Sequence, residues 1–410
     1  MKSNYKRLGD YIQELKVRNT EQKAEQLLGI NIDKFFMPSV ANVVGTDLSV
    51  YKLVRKNQFV CNRMHVGRDY RLPISMSKSD EEFMVSPAYD VFEVMDTEAL
   101  NPEFLMMWFS RKEFDRNAWF YTDADVRGGL PWKSFCDMQL PIPHITKQRE
   151  IVKEYSTIQN RINLNNQLIQ KLEETALAIY KQWFVEFEFP DENGKPYKSN
   201  GGKMIECGIV EIPKNWEQKE IASICDITSS KRIFESEYQE SGIPFYRGKE
   251  ITQKKAGDII TDLIYISIER YNELIKNYGK PSKGDILMTA VGTIGSTYMV
   301  EDEQFYFKDG NVIWFKNFKQ KGSNYFLYDF MQTEQFSNLI KEITIGSTQS
   351  AITIKTFGQQ KLVFPEKKVL DKYLNLSSVL NDNLIFKKNE NQKLSELKDL
   401  LLSKLATVEN

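Results

Sequence analysis

A chain of 410 residues exceeds what one hydrophobic core ordinarily serves, so two or three domains are expected. With 55 Lys+Arg against 56 Asp+Glu the net charge is -1, which excludes a wholesale polyanion binder and leaves any phosphate contact to local patches. Four scattered cysteines, Cys61, Cys136, Cys207 and Cys225, exclude a disulfide framework and a thiolate zinc centre, and no signal-peptide pattern or apolar run of ~18 residues occurs. A cytoplasmic protein without a membrane role is expected.

From the N-terminus, short apolar alternations at residues 58–62 and 89–94 are separated by turn residues, the mark of a strand-rich α+β domain. Residues 100–116 are apolar at helical spacing, with Asn101-Pro102 as a start signal. Two prolines in Leu140-Pro141-Ile142-Pro143 force extended backbone and close this domain. A long helix follows. Ile151, Tyr155, Ile158, Ile162, Asn165, Ile169, Leu172, Ala176, Ile179 and Trp183 recur in alternating steps of four and three, a heptad seam that must pack on another helix, with Asn165 as its polar register mark.

A Gly/Asn/Lys/Ser-rich stretch at 191–203 reads as linker, and a second mixed domain follows it. This domain reuses pieces of the first: Lys133-Ser134-Phe135 matches Lys355-Thr356-Phe357 at 355 - 133 = 222, and Asn166-Gln167 matches Asn391-Gln392 at 391 - 166 = 225. The chain therefore reads as one duplicated unit. The last helix has Tyr373, Leu376, Leu380, Leu394, Leu397 and Leu401 as seam positions, interrupted by Asn383, Lys387 and Glu390, with a stutter through Phe386 expected to restore packing.

The expected fold is α+β: two mixed domains separated by two long helices in an antiparallel coiled coil. Domain one spans 1–143, the central helix 144–185, the linker 186–211, domain two 212–365 and the C-terminal helix 366–410.

Chemistry of the catalytic kind is absent from the pattern. There is no GxxxxGK[ST] loop, no strand followed by GxGxxG, and only two histidines, His65 and His144. Basic and polar loops stand out instead. Arg63, His65 and Arg68 surround Gly67, and guanidiniums so placed suit phosphate oxygens or the edge of guanine. Arg247 and Lys249 around Gly248 form a comparable cluster in the second domain. Thr348, Gln349 and Ser350 offer small donors and an amide suited to adenine; their counterpart in the first domain is Arg127, ahead of Lys133, as Lys355 follows them in the second. Thr293 sits in the tight turn Gly292-Thr293-Ile294-Gly295. Each loop alone equally suits an ordinary solvated hairpin; duplication on a spacer favours a bipartite ligand. Leu164, Leu168 and Leu177 lie off the heptad seam and are expected to dock partner subunits.

The order domain, helix, domain, helix resembles the specificity subunit of bacterial type I restriction-modification systems. The motifs carrying the resemblance include Gln148-Arg149-Glu150-Ile151-Val152, Trp183-Phe184-Val185-Glu186-Phe187-Glu188-Phe189-Pro190, Lys283-Gly284-Asp285-Ile286-Leu287-Met288 and Gly346-Ser347-Thr348-Gln349-Ser350-Ala351-Ile352-Thr353. The resemblance implies a non-catalytic subunit that reads a split sequence in double-stranded DNA, one half-site per recognition domain. It also implies two DNA methyltransferase subunits and restriction/translocase subunits as partners. S-adenosylmethionine, ATP and Mg would sit on those partners and no cofactor on this chain, in keeping with the lack of an Asn-Pro-Pro-Tyr motif. The alternative is a two-headed coiled-coil adaptor between proteins without DNA specificity; a stand-alone methyltransferase or nuclease ranks below both.

Overall fold

A computed structural model describes residues 5–40, 45–122, 128–208, 210–260, 262–344 and 351–408. The chain divides into two units, residues 1–162 with 394–410, and residues 163–393.

In the first unit, Ile12–Leu15, Asp90–Val94, Phe59–Cys61 and Ile74–Met76 form an antiparallel sheet in that order. Central Phe59–Cys61 and edge strand Ile74–Met76 are buried throughout, while Asp90–Val94 buries Val91, Phe92 and Val94 and leaves Asp90 and Glu93 half-buried. Phe59 and Phe92 stack at 5.0 Å, and Phe135 meets Phe92 edge-on at 5.6 Å. Tyr5–Arg7 pairs antiparallel with Gln139–Pro141, where the paired prolines hold the chain extended before the central helix.

The helix expected over 100–116 is two. Asn101 caps Pro102–Phe109 by accepting from the Glu103 and Phe104 amides, but Arg111 is extended at ψ 141° and a second helix runs Lys112–Phe120. The break has a packing cause: Arg111, buried, lays its guanidinium 4.3 Å from the Trp108 ring centroid. A periodic apolar pattern cannot register such a corner.

The second unit repeats this plan. Asp226–Thr228, Val312–Lys316, Ile286–Thr289 and Thr297–Met299 form a sheet of the same order, and Glu217–Glu220 pairs with Lys361–Phe364. Helix starts follow at nearly constant offset: Lys112 and Glu334 (334 - 112 = 222), Trp132 and Ile354 (354 - 132 = 222), Ile145 and Lys367 (367 - 145 = 222). What the second unit adds is a three-stranded sheet, Ile264–Ile266, Ile243–Tyr246 and Tyr306–Phe307, with helices Gly248–Ala256 and Ile268–Tyr278. The stretch expected as linker is ordered: Asp191 accepts from the Asn193 and Lys195 amides, Phe189 stacks on Trp216 at 5.0 Å, and Met204–Cys207 pairs with Val210–Pro213.

The two long helices, Ile145–Tyr180 and Lys367–Lys404, pack antiparallel. In the first unit Lys398 Nζ reaches Gln159 Oε1 at 3.2 Å; in the second, Asn165 faces Asn391 and Tyr180 faces Tyr373. All ten expected seam positions of the central helix are buried or half-buried. The seam of the last helix runs as expected at Tyr373, Leu380, Leu394 and Leu401, which are buried or half-buried, but not at Leu376 and Leu397. Val369, Leu370, Tyr373, Ser377, Leu402 and Leu405 are buried, whereas Leu376, Leu397 and Phe386 are exposed, so no stutter through Phe386 repairs it. Polar pairs fill its middle instead, Asn391 with Asn165 and Lys387 with Glu390.

Candidate nucleic-acid interface

In the first unit the loop between Phe59–Cys61 and Ile74–Met76 meets the segment leading into Trp132–Asp137. The Leu130 amide donates to the Arg63 carbonyl at 2.9 Å, and the Gly67 amide to the Gly128 carbonyl at 2.8 Å. The approach demands glycine: a Cβ on Gly67 would lie 2.7 Å from the Gly128 Cα, and Gly128 has φ +58°. Two motifs some sixty residues apart thus become one surface.

The structure sorts the first-domain candidates. Arg63 is committed internally, its Nε 2.7 Å from Asp90, its guanidinium 5.4 Å from the Trp132 ring and donating to the Leu130 carbonyl. Held in this way, Arg63 ties the loop to the sheet and to the segment before Trp132. Arg68 is two-thirds exposed beside Asp69 at 2.7 Å, a neighbour that raises its pKa further through their hydrogen bond. His65 is half-buried and its carbonyl accepts the Asp69 amide at 2.9 Å, closing the turn Val66–Asp69. Lys133 is exposed, 3.8 Å from Asp137. Arg127 lies outside the described residues.

In the second unit the loop in the same place is 290–296, which corrects the pairing of Arg63–Arg68 with Arg247–Lys249: the latter belong to the added helix. The Ile352 amide donates to the Ala290 carbonyl at 3.1 Å, as Leu130 does to Arg63, and Val291 bridges Ala351. Buried Thr289 accepts the Ser296 amide at 2.9 Å and fixes the turn. Thr293 is exposed with its Oγ1 3.1 Å from that of Thr252, so the added helix and the turn also share a surface.

Arg247 is held by an ion pair within its own helix start. It pairs with fully buried Glu250 at 2.7 Å, and its backbone amide donates to the same carboxylate at 2.8 Å. Burial pushes the Glu250 carboxyl up, but these hydrogen bonds outweigh it and leave the carboxyl below its ordinary value. Arg247 is the N-cap residue of Gly248–Ala256, and Glu250 supplies the capping carboxylate that its backbone amide and guanidinium both meet. Lys249 stays half-exposed, 3.3 Å from Asp262, and Lys355 is exposed in the first turn of Ile354–Gly358. Thr348, Gln349 and Ser350 lie outside the described residues. Thr252 went unnoticed in the sequence; the pairing of Thr293 with it arises only in three dimensions.

Each unit thus carries a loop pair on a sheet of the same strand order, and comparison with known proteins adds to this. Residues 213–396 match the type I restriction modification DNA specificity domain. Over those residues the chain is similar to the DNA specificity domain of type I restriction-modification systems. Relatives extend across it: the Type I restriction enzyme HindI specificity subunit of Haemophilus influenzae is 23% identical over 91% of each chain. The putative specificity subunit S.HindORF215P of the same organism is 26% identical over 76% of this chain and 75% of its own. A crystal structure of the type I restriction-modification S subunit from M. genitalium superposes with TM-score 0.59 at 13% identity, covering 99% of this chain and 96% of that one, which shows the shared fold. Among the described residues no group of three or more His, Cys, Asp or Glu is arranged to hold a metal, and no helix is long and apolar enough to cross a membrane.

Proposed function

We propose that this chain is a specificity subunit that reads a bipartite DNA target, one half-site per unit, and itself performs no chemistry. The observation carrying the reading is the repeated loop pair: Leu130 to Arg63 in one unit and Ile352 to Ala290 in the other, each on a sheet of the same strand order. Arg68 and Lys133 would serve one half-site, joined by Arg127; Lys249, Thr293 and Lys355 would serve the other, joined by Thr348, Gln349 and Ser350. The near-zero net charge fits a reader whose partners supply part of the phosphate contact.

The partners in this reading are two DNA methyltransferase subunits and, through them, restriction/translocase subunits, which would bring S-adenosylmethionine, ATP and Mg. Leu164 and Leu168, 60% and 44% exposed, support docking on the central helix. Leu177 is half-buried and lines a cavity of about 520 Å³ in the second unit, so it offers less surface for docking than Leu164 and Leu168.

Methylome sequencing of cells expressing the chain with its methyltransferase partner tests the reading. Modification at two short sequences separated by unread bases is expected; a single continuous motif would overturn it.

A further inference from the structure

The first unit carries an exposed aromatic patch at the rim of its candidate reading loop. Tyr70, Trp119, Phe120 and Tyr121 are 63%, 45%, 76% and 44% exposed. Tyr70 and Trp119 are in ring contact at 5.4 Å, and Phe120 and Tyr121 at 5.5 Å. Tyr70 holds φ +56°, a left-handed conformation costly for an aromatic residue, and it ends the turn that carries Arg68. That turn is tied to the aromatic helix, since buried Asp115 accepts the Leu72 amide at 3.1 Å. The patch is thus built rather than frayed.

Three guanidiniums border it, two of them paired with carboxylates, Arg68 with Asp69 and Arg71 with Asp33, each at 2.7 Å. Exposed Arg116 lies one turn before Trp119 and Phe120 on the same helix, and Arg68 and Arg71 flank Tyr70. Aromatic faces interleaved with guanidiniums match bases bordered by phosphates. The corresponding positions of the second unit, at the offset of 222, are Lys341, Glu342 and Ile343, with no aromatic among them.

We propose that this patch packs against an opened base step of duplex DNA at the edge of the first half-site, so that one half-site is read with distortion and the other without. The proposal rests on DNA reading by the first unit. Wedging aromatics cost the duplex some stacking and regain it on protein rings.

The test uses the full chain assembled with its methyltransferase partner, wild type against Trp119→Ala/Phe120→Ala, on duplexes selected from a random-sequence pool by the wild-type complex. 2-Aminopurine is placed at each position along both half-sites. Apart from the target bases that the methyltransferase itself flips out, wild type should brighten the probe at the edge of one half-site only, and the double variant should abolish that edge signal with about a tenfold loss of affinity. A mismatch at the brightened step should restore much of the lost affinity. Unchanged affinity and fluorescence in the variant would overturn the proposal while leaving sequence reading intact, as would loss of co-purification with the methyltransferase, which would mark a protein contact. Failure of the wild-type complex to select any sequence would instead refute the reading on which the proposal rests. Both side chains stand outside the core, and Trp119→Phe, which keeps a stacking face, should retain the signal.

Discussion

Asn165 and Asn391 hydrogen-bond across the long helices, Nδ2 of the first to Oδ1 of the second at 3.0 Å, and Asn391 Nδ2 then reaches Asn166 Oδ1 at 2.7 Å. Asn165 is 2% exposed, so its amide has little recourse to water. A polar pair of this kind fixes which residues face each other, because any slip would leave a buried amide unpaired. Asn391→Ala should destabilise the chain by about 1–3 kcal/mol. Leucine at both 165 and 391 should recover stability while broadening the spectrum of helix registers. Urea denaturation and cross-linking of paired cysteines along the helices read the two effects; a fully stable Asn391→Ala would remove the register role.

Gly67→Ala should force the two first-domain loops apart, since the new methyl meets backbone rather than a movable side chain. A cost of about 1–3 kcal/mol in folding is expected. Recognition at one half-site should relax and the other stay intact, as read by binding to duplexes randomised in each half. Equal effects on both halves would separate this glycine contact from DNA reading.

The readout of the halves is expected to be independent. Arg68→Ala should weaken one half-site and Lys355→Ala the other, each by about 1–3 kcal/mol if a base contact is lost. If randomised half-sites respond alike to both changes, the assignment of one half per unit is wrong.

Asp329 is buried under the last helix, where Tyr373 and Ser377 each donate to its Oδ2 at 2.6 Å. Burial pushes its carboxyl up to about 6, the two hydrogen bonds offsetting only part of that. The native state therefore holds a proton that the unfolded chain, near pH 4, has released. Stability from this group falls as pH rises from about 4 to about 6, by about 3 kcal/mol, and is level above. Asp329→Asn should flatten that part of the stability profile measured by urea denaturation; an unchanged slope would assign it to other groups.

The helices are expected to set the gap between half-sites. Because they run antiparallel, matched segments must be removed together, and residues 158–164 face 392–398 near the boundary between the units. Deleting both removes one heptad from each, about 10 Å of rise or near three base pairs. The methylated half-sites should keep their sequences and lose about that much gap. An active variant with the original gap would show that spacing is set elsewhere.

Much of the architecture was legible in the sequence because it depends on periodicity and repetition. The heptad seam of the central helix, the strands near 58–62 and 89–94, and the duplication near offset 222 all follow from local spacing, which backbone geometry converts directly into faces. The last helix departs from its spacing in part: Leu376 and Leu397 fit it yet are exposed, whereas Ser377 is buried against Asp329 and Asn391 half-buried against Asn165, polar contacts that come from elsewhere in the chain. The candidate site divided along the same line. Residue type marked Arg63, Arg68 and Arg247 alike as cations for DNA, and charge alone does not say where a guanidinium is spent. Only the folded chain sets Asp90 against Arg63, folds Glu250 back beneath Arg247 and leaves Arg68 facing solvent, because burial and partner distance are properties of tertiary packing.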